Sequence, residues 1–374
     1  MRNPFGLIEI DTVLSPARRK LFHYFWVTFA LLLVFSTRPL WMGAGEYPQV
    51  PFAGGLVNAG QTADRIALGL ALVPLCLMLV IGDSLRLWRA CCFAFLCGMG
   101  GLFLLDQHRF QPWAWQFVLI GCASLWFPTR SVAYWWRWLA ISIYLFSAIS
   151  KFDVSFADEL GLLFLRTVGS FISLDVSAWP VALQRIGAMS FPVWEFAVGL
   201  MLCFPRTRFA GMWMAWVMHG MLLGILGPWG LNHHWGVLLW NGFFICQAGL
   251  LFWPCMYQGP SCPLRVPGGE KLAELKGRVG AVAMTLILWL PVLEPFGLYD
   301  HWPSWGLYAS HVERVNLFIH REARKKLPAD VQRHLVELLD ESSEGLGMKL
   351  DRWSLAALKA PIYPQGRFQI GVWA

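Results

Sequence analysis

The feature that most constrains this chain is a series of apolar stretches, each close to the length needed to cross a lipid bilayer. They run at roughly Leu21–Trp41, Arg65–Ile81, Arg89–Leu105, Trp113–Phe127, Tyr134–Ser150, Phe191–Phe204, Phe209–Leu226, Trp235–Trp253 and Val279–Leu298. A spanning helix needs about 20 apolar residues, and several of these runs fall short of that length. Backbone amides in lipid must be satisfied within the segment itself, so each run is expected to be a helix. The composition agrees: of 374 residues, 57% are hydrophobic, 14% are charged and 22 are tryptophan, which is more apolar material than a soluble core of this size uses. The expected fold class is an all-α polytopic membrane protein of about nine transmembrane helices with a small α+β C-terminal extramembrane region. The boundaries are a cytoplasmic segment at 1–20, a helical membrane domain at 21–298 and an extracytoplasmic region at 299–374. The first apolar run lacks a small-residue cleavage site and carries Arg38 at its far end, so it reads as a span and not a signal peptide.

Lysine and arginine in the connections orient the chain. One side would hold Arg2, Arg18, Arg19, Lys20, Arg86, Arg89, Arg130, Arg137, Arg206, Arg208, Arg265, Lys271, Lys276 and Arg278; the other only Arg38, Arg65, Arg109, Lys151, Arg166 and Arg185. The positive-inside bias makes the N-terminus cytoplasmic and the tail exterior in a multi-pass cell-membrane protein. The net charge of +7 is then a property of topology, and no nucleic-acid partner is expected. Membrane lipids and a lipid-soluble substrate are the expected partners. In the tail, "RVNLFIH" and "RFQIGVWA" read as strands and "DVQRHLVELLDE" as an amphipathic segment, and about 75 residues is marginal for an independent core. Of nine cysteines, seven sit in predicted helices, and Cys255 and Cys262 in a cytoplasmic loop; none of these positions makes a disulfide framework.

Polar residues gather on the exterior side. Asp64 opens one helix, "DQHRF" with Asp106 and His108 closes another, and Lys151 with Asp153 follows "YLFSAIS". "GLNHHWG" brings His233 and His234, while Glu294 and Asp300 end the last span. Glu195 and His219 lie inside predicted spans, where ionisable groups are costly and usually face a bundle interior or wet cavity. An outward-opening polar pocket is the economical expectation, with Lys151 and His219 as catalytic candidates and Asp106, His108, Asp153, Glu195, His233 and His234 in support. Bland roles stand beside these: a lysine at a helix end snorkels to the interface, and a buried histidine can be a hydrogen-bonded core residue. Adjacent histidines point in different directions on regular structure, so no metal site is expected at His233 and His234.

The segment "YLFSAISKFDVSF" resembles the region of the active lysine in vitamin K-dependent γ-glutamyl carboxylases and their bacterial relatives, the horizontally transferred transmembrane (HTTM) domain proteins. "MHGMLLGILGPWG" is similar to that family's histidine-bearing helix and the apolar turn after it. The resemblance covers roughly residues 20–300 in layout. It implies a membrane enzyme whose cofactor is a reduced quinone of the vitamin K hydroquinone kind, with Lys151 deprotonating the hydroquinone. A base lysine must be neutral, and a wall of Tyr144, Phe146, Phe152 and Phe156 would disfavour the ammonium while Asp153 would favour it. The tail is shorter than the carboxylases' luminal region and has no cysteine, which separates this chain from peptide glutamate carboxylation. A proton-coupled transporter or lipid-handling protein, and a non-catalytic membrane scaffold, are the alternatives.

Overall fold

The computed structural model describes residues 14–43, 47–56, 60–81, 84–129, 131–254, 270–309, 311–337 and 345–373. Fifteen helices and three strands occur in them. The membrane part contains α1 (Pro16–Ser36), the short α2 (Arg38–Met42), α3 (Gly60–Val80), α4 (Leu85–Leu105), α5 (Pro112–Trp126), α6 (Val132–Ile149), the short α7 (Val154–Asp158), α8 (Leu160–Phe171), α9 (Val181–Cys203), α10 (Arg208–Leu226), α11 (Trp235–Phe252) and α12 (Glu270–Trp289). After α12 the prolines of "LPVLEPF" convert the chain to a 3₁₀ helix over Leu290–Phe296, because proline gives no amide to an α-helical ladder. The tail contains β1 (Leu317–His320), α13 (Ala329–Gln332), β2 (Leu335–Glu337), β3 (Gly345–Met348), α14 (Leu350–Leu358) and α15 (Gly366–Trp373).

Among the described residues, seven helices are long and apolar enough to cross a membrane: α3, α4, α6, α9, α10, α11 and the Gly277–Phe296 stretch that ends in the 3₁₀ segment. The expected count of about nine is therefore met only in part. The helices at Leu21–Trp41 and Trp113–Phe127 both form, but α5 has 15 residues, and α1 begins with Arg18, Arg19 and Lys20. Helix α1 also starts earlier than the expected boundary at residue 21, since the Ser15 side chain accepts from the Arg18 amide and Pro16 occupies the first turn.

Helix α6 is the axis of the bundle. Of its spanning window 67% is buried, against 28–44% for the other six. Aromatic rings surround it: Trp136 lies against Phe22 at 4.4 Å with the rings tilted by 32°, and Phe22 in turn meets Phe243 on α11. In lipid, where apolar burial drives association weakly, close packing decides, and small residues permit it. Gly98 on α4 lets two helices meet backbone to backbone: a Cβ there would lie 2.4 Å from the Ala71 amide nitrogen and 2.7 Å from the Ala67 carbonyl oxygen of α3.

The tail packs against the helical part of the chain. Its sheet has order β1-β3-β2, both pairs antiparallel, with Leu317 opposite Met348 and Leu335 opposite the same Met348. The buried faces of α14 and α15 continue the membrane-domain core: Trp353 lies 4.6 Å from Tyr47, and Phe368 5.1 Å from His108. Two expectations are corrected. "RFQIGVWA" is the helix α15, whose buried Phe368, Gln369 and Val372 recur at helical spacing. "DVQRHLVELLDE" makes only one helical turn before turning into β2, and its last residues lie outside those described. Segments this short carry too few periods to separate the two readings.

Candidate functional site

Tyr144 and Ser147 lie on the last turns of the central helix and Lys151 just past its end, and their i, i+3 and i+7 spacing aims all three the same way. They face a cavity of about 300 Å³ enclosed by α6, α8, α9, α10 and α11 and closed on one side by Trp305, Leu307 and Tyr308 of the segment after the last span. Its walls are apolar, with Phe156, Phe164, Phe191, Met218, Trp240 and Phe244 among them. Trp194 and Val217 line it and are also exposed on the outer faces of α9 and α10, so the cavity reaches the apolar exterior of the bundle.

Two polar groupings meet inside. Lys151 Nζ donates to the Ser147 carbonyl at 2.7 Å, to Ser147 Oγ at 2.6 Å and to Glu195 Oε2 on α9 at 2.9 Å. Three acceptors match the three donors of an ammonium group. At 7% exposure the lysine does not snorkel.

On the other side, Asn241 donates through Nδ2 to the Val237 carbonyl at 2.9 Å, which turns its Oδ1 toward His219 Nδ1 at 2.8 Å. Because that oxygen only accepts, His219 carries its proton on Nδ1, and the bare Nε2 accepts from the Tyr144 hydroxyl at 2.9 Å. His219 also stacks on Phe244 at 4.8 Å with 6° between planes. It is thus both a satisfied core histidine and part of the cavity wall.

Of the candidates drawn from the sequence, Lys151, Glu195 and His219 share this cavity. The other five do not line it. Asp106 accepts from the amides of His108 (3.1 Å) and Val50 (3.4 Å) and lies 3.9 Å from Arg109, which also pairs with Asp64. His108 donates from Nε2 to the Pro361 carbonyl at 2.7 Å and so fastens the tail, while its Nδ1 has no hydrogen-bond partner. Burial pushes the Asp106 carboxyl up to about 6 and the His108 imidazole down to about 4. Asp153 caps α7 by accepting from the Phe156 amide at 2.6 Å. His234 caps α11 through the Gly236 amide at 3.3 Å. His233 stands behind the cavity's cover, with Nδ1 3.4 Å from the Tyr308 hydroxyl.

The aromatic wall expected around Lys151 is half correct: Tyr144 and Phe156 line the cavity, whereas Phe152 points outward and packs on Phe196. Ser147, Asn241, Trp305 and Tyr308 escaped the sequence reading. Ser147 was accessible from its spacing to Lys151, and Asn241 as an amide within an apolar run. Trp305 and Tyr308 carried no such signal, and both hold a left-handed backbone, φ 65° and 60°, that bulky side chains adopt only when the surroundings impose it. The seven described cysteines are free.

No family model matches the chain, and neither does any curated protein or solved structure.

Proposed function

We propose that this chain is an integral membrane enzyme that takes a lipid-soluble, quinone-like substrate into the cavity beside Lys151. One observation carries the reading: the lysine, Glu195 and the Tyr144–His219–Asn241 chain converge on a single apolar-walled space that opens toward the outer faces of α9 and α10. A flat aromatic headgroup suits such walls, and a hydroxyl on it would find both proton acceptors and donors. The resemblance of "YLFSAISKFDVSF" to the carboxylase lysine region gives the same residue the same part. For Lys151 to take a proton from substrate, its own must first pass to Glu195, 2.9 Å away, so the pair acts as one unit. The hydroquinone form is the cofactor or substrate this chemistry suits. The charge bias between connections supports a cytoplasmic N-terminus and an exterior tail in the cell membrane.

The test uses the full-length protein in lipid nanodiscs with vitamin K hydroquinone and dioxygen as the oxidant. Quinone binding, read by quenching of tryptophan fluorescence, is expected in wild type, Lys151→Ala and Lys151→Arg alike. Hydroquinone turnover is expected in wild type alone, since arginine does not release its proton at ordinary pH. Turnover by the arginine variant would sink the base. Proton-coupled uptake into sealed vesicles without turnover would move the reading to transport.

A further inference from the structure

Glu294, His301 and His311 lie 7 and 10 residues apart along the chain, and the fold of that segment points them at one place. The 3₁₀ segment holds Glu294 at the end of the last span, and a left-handed turn at Gly297 reverses the chain so that His301 comes back over it. His301 Nδ1 lies 2.5 Å from Glu294 Oε1, and His311 Nε2 lies 2.9 Å from the same oxygen. All three ligand atoms fall within 4.8 Å of one another. Glu294 and His301 are buried, while the His311 side chain is 39% exposed, which leaves one side of the group open to water.

A second contact gives this cluster the arrangement of a metal centre. The far nitrogen of His311, Nδ1, faces Asp153 Oδ2 at 3.4 Å. A carboxylate there keeps a proton on Nδ1, so that when the Nε2 proton now donated to Glu294 leaves, the lone pair it frees is the one directed at the Glu294 group. Metal-bound histidines are oriented by such a carboxylate on the other ring nitrogen. We infer that Glu294, His301 and His311 form a binding site for a divalent transition ion such as zinc, with Asp153 as the residue that positions His311.

Two imidazole nitrogens and one carboxylate oxygen form a donor set that zinc accepts, with ligand bonds of about 2.0–2.2 Å and a fourth position for water. Around a tetrahedral ion, ligand atoms stand roughly 3.3–3.5 Å apart, so the present spacings of 2.5 and 2.9 Å have to widen by less than about 1 Å. The protons now shared with Glu294 would leave as the metal enters. The site joins three pieces: the end of the last span, the segment 301–311, and the cap of α7 two residues from Lys151. Trp305, Leu307 and Tyr308, which cover the cavity, lie between the two histidine ligands. A bound ion would fix both ends of that cover. This holds whatever occupies the cavity.

The test is made on untagged full-length protein in detergent, stripped with a chelator and titrated with Co²⁺, then back-titrated with Zn²⁺. One equivalent of cobalt should give visible ligand-field bands that one equivalent of zinc removes. Glu294→Gln and His301→Ala should weaken binding at least about 100-fold, and zinc should raise the thermal midpoint of wild type but not of these variants. Two further variants guard against misfolding. His311→Ala changes a largely exposed side chain. Asp153→Asn keeps a good helix cap and should lose about 10- to 100-fold in affinity. No cobalt bands in the wild type, or wild-type affinity in both His311→Ala and Asp153→Asn, would overturn the site.

Discussion

Removing the carboxylate from Glu195 leaves Lys151 buried with a charge and no counter-ion, and the cost can be worked from the contacts. The side chains are 9% and 18% exposed, and Lys151 Nζ has three acceptors, of which only the Glu195 oxygen is charged. Breaking one half of a buried pair costs about 3–5 kcal/mol. The two Ser147 oxygens remain in Glu195→Ala, so the loss should fall at the low end, about 3 kcal/mol. Replacing both partners at once removes the charge and the need for it: Lys151→Met with Glu195→Leu should return stability to within about 1 kcal/mol of wild type. The assay is unfolding of the detergent-solubilised protein by increasing SDS fraction, followed by tryptophan fluorescence, with all four members of the cycle measured side by side. A double variant that loses as much as the two single losses added together would show that the residues do not act as a pair. If the double variant is stable but fails to turn over hydroquinone, the ion pair is kept for chemistry and not for folding.

Gly98→Leu should separate α3 from α4, since even its Cβ would meet backbone atoms of α3 at 2.4 and 2.7 Å; a loss of about 1–3 kcal/mol or more in the same SDS titration is expected, and an unchanged midpoint would refute the close approach. The tail's attachment holds two opposed titrations. His108, whose folded value of about 4 lies below the ordinary 6.5, stabilises the fold above 6.5 and loses that contribution as pH falls toward 4; Asp106, raised to about 6, gains stability for the fold as pH falls through 6. Asp106→Asn should therefore lose on the order of 3 kcal/mol between pH 6.5 and 4, and His108→Gln should become more stable on acidification through pH 6, both read by protease access to the tail. Reporter fusions after Lys276 and after Asp300 should report opposite compartments, and the same compartment for both would refute the crossing between them.

The spans were legible because the cost of leaving an amide unsatisfied in lipid forces long apolar runs, and run length is written directly in the sequence. Their exact number was not, since α5 is short and α1 carries charge, and what makes these two helices fit is their packing against neighbours such as Trp136 and Phe243. Lys151, Glu195 and His219 were legible for a related reason. A charged or titratable group in an apolar run needs a partner, so each one announces that a partner exists. The partner's identity was hidden: Glu195 is 44 residues from Lys151, and Asn241 is 22 from His219. In the tail, α15 and β2 are too short for periodicity to decide, and the core they complete belongs to the membrane domain.

The same reasoning explains why the five candidates outside the cavity separated from the other three. A shared side of the membrane places helix ends on one surface, but it does not place them around one point. The central helix, buried on most of its circumference, aims successive turns into the middle of the bundle; Tyr144 and Ser147 are on it and Lys151 follows its C-terminal end. Asp106 and His108 follow α4, which is buried over only 39% of its window, and there His108 meets the tail instead. Asp153 lies two residues beyond Lys151, past the end of α6, where the chain has turned; its carboxylate therefore faces His311 and the exterior. A lysine and an aspartate two positions apart thus serve different places, one inside the cavity and one at the cover above it. Chemistry at Lys151 and attachment of the cover at Asp153 are for that reason separable by mutation: Asp153→Asn should change metal affinity without removing the Lys151–Glu195 pair.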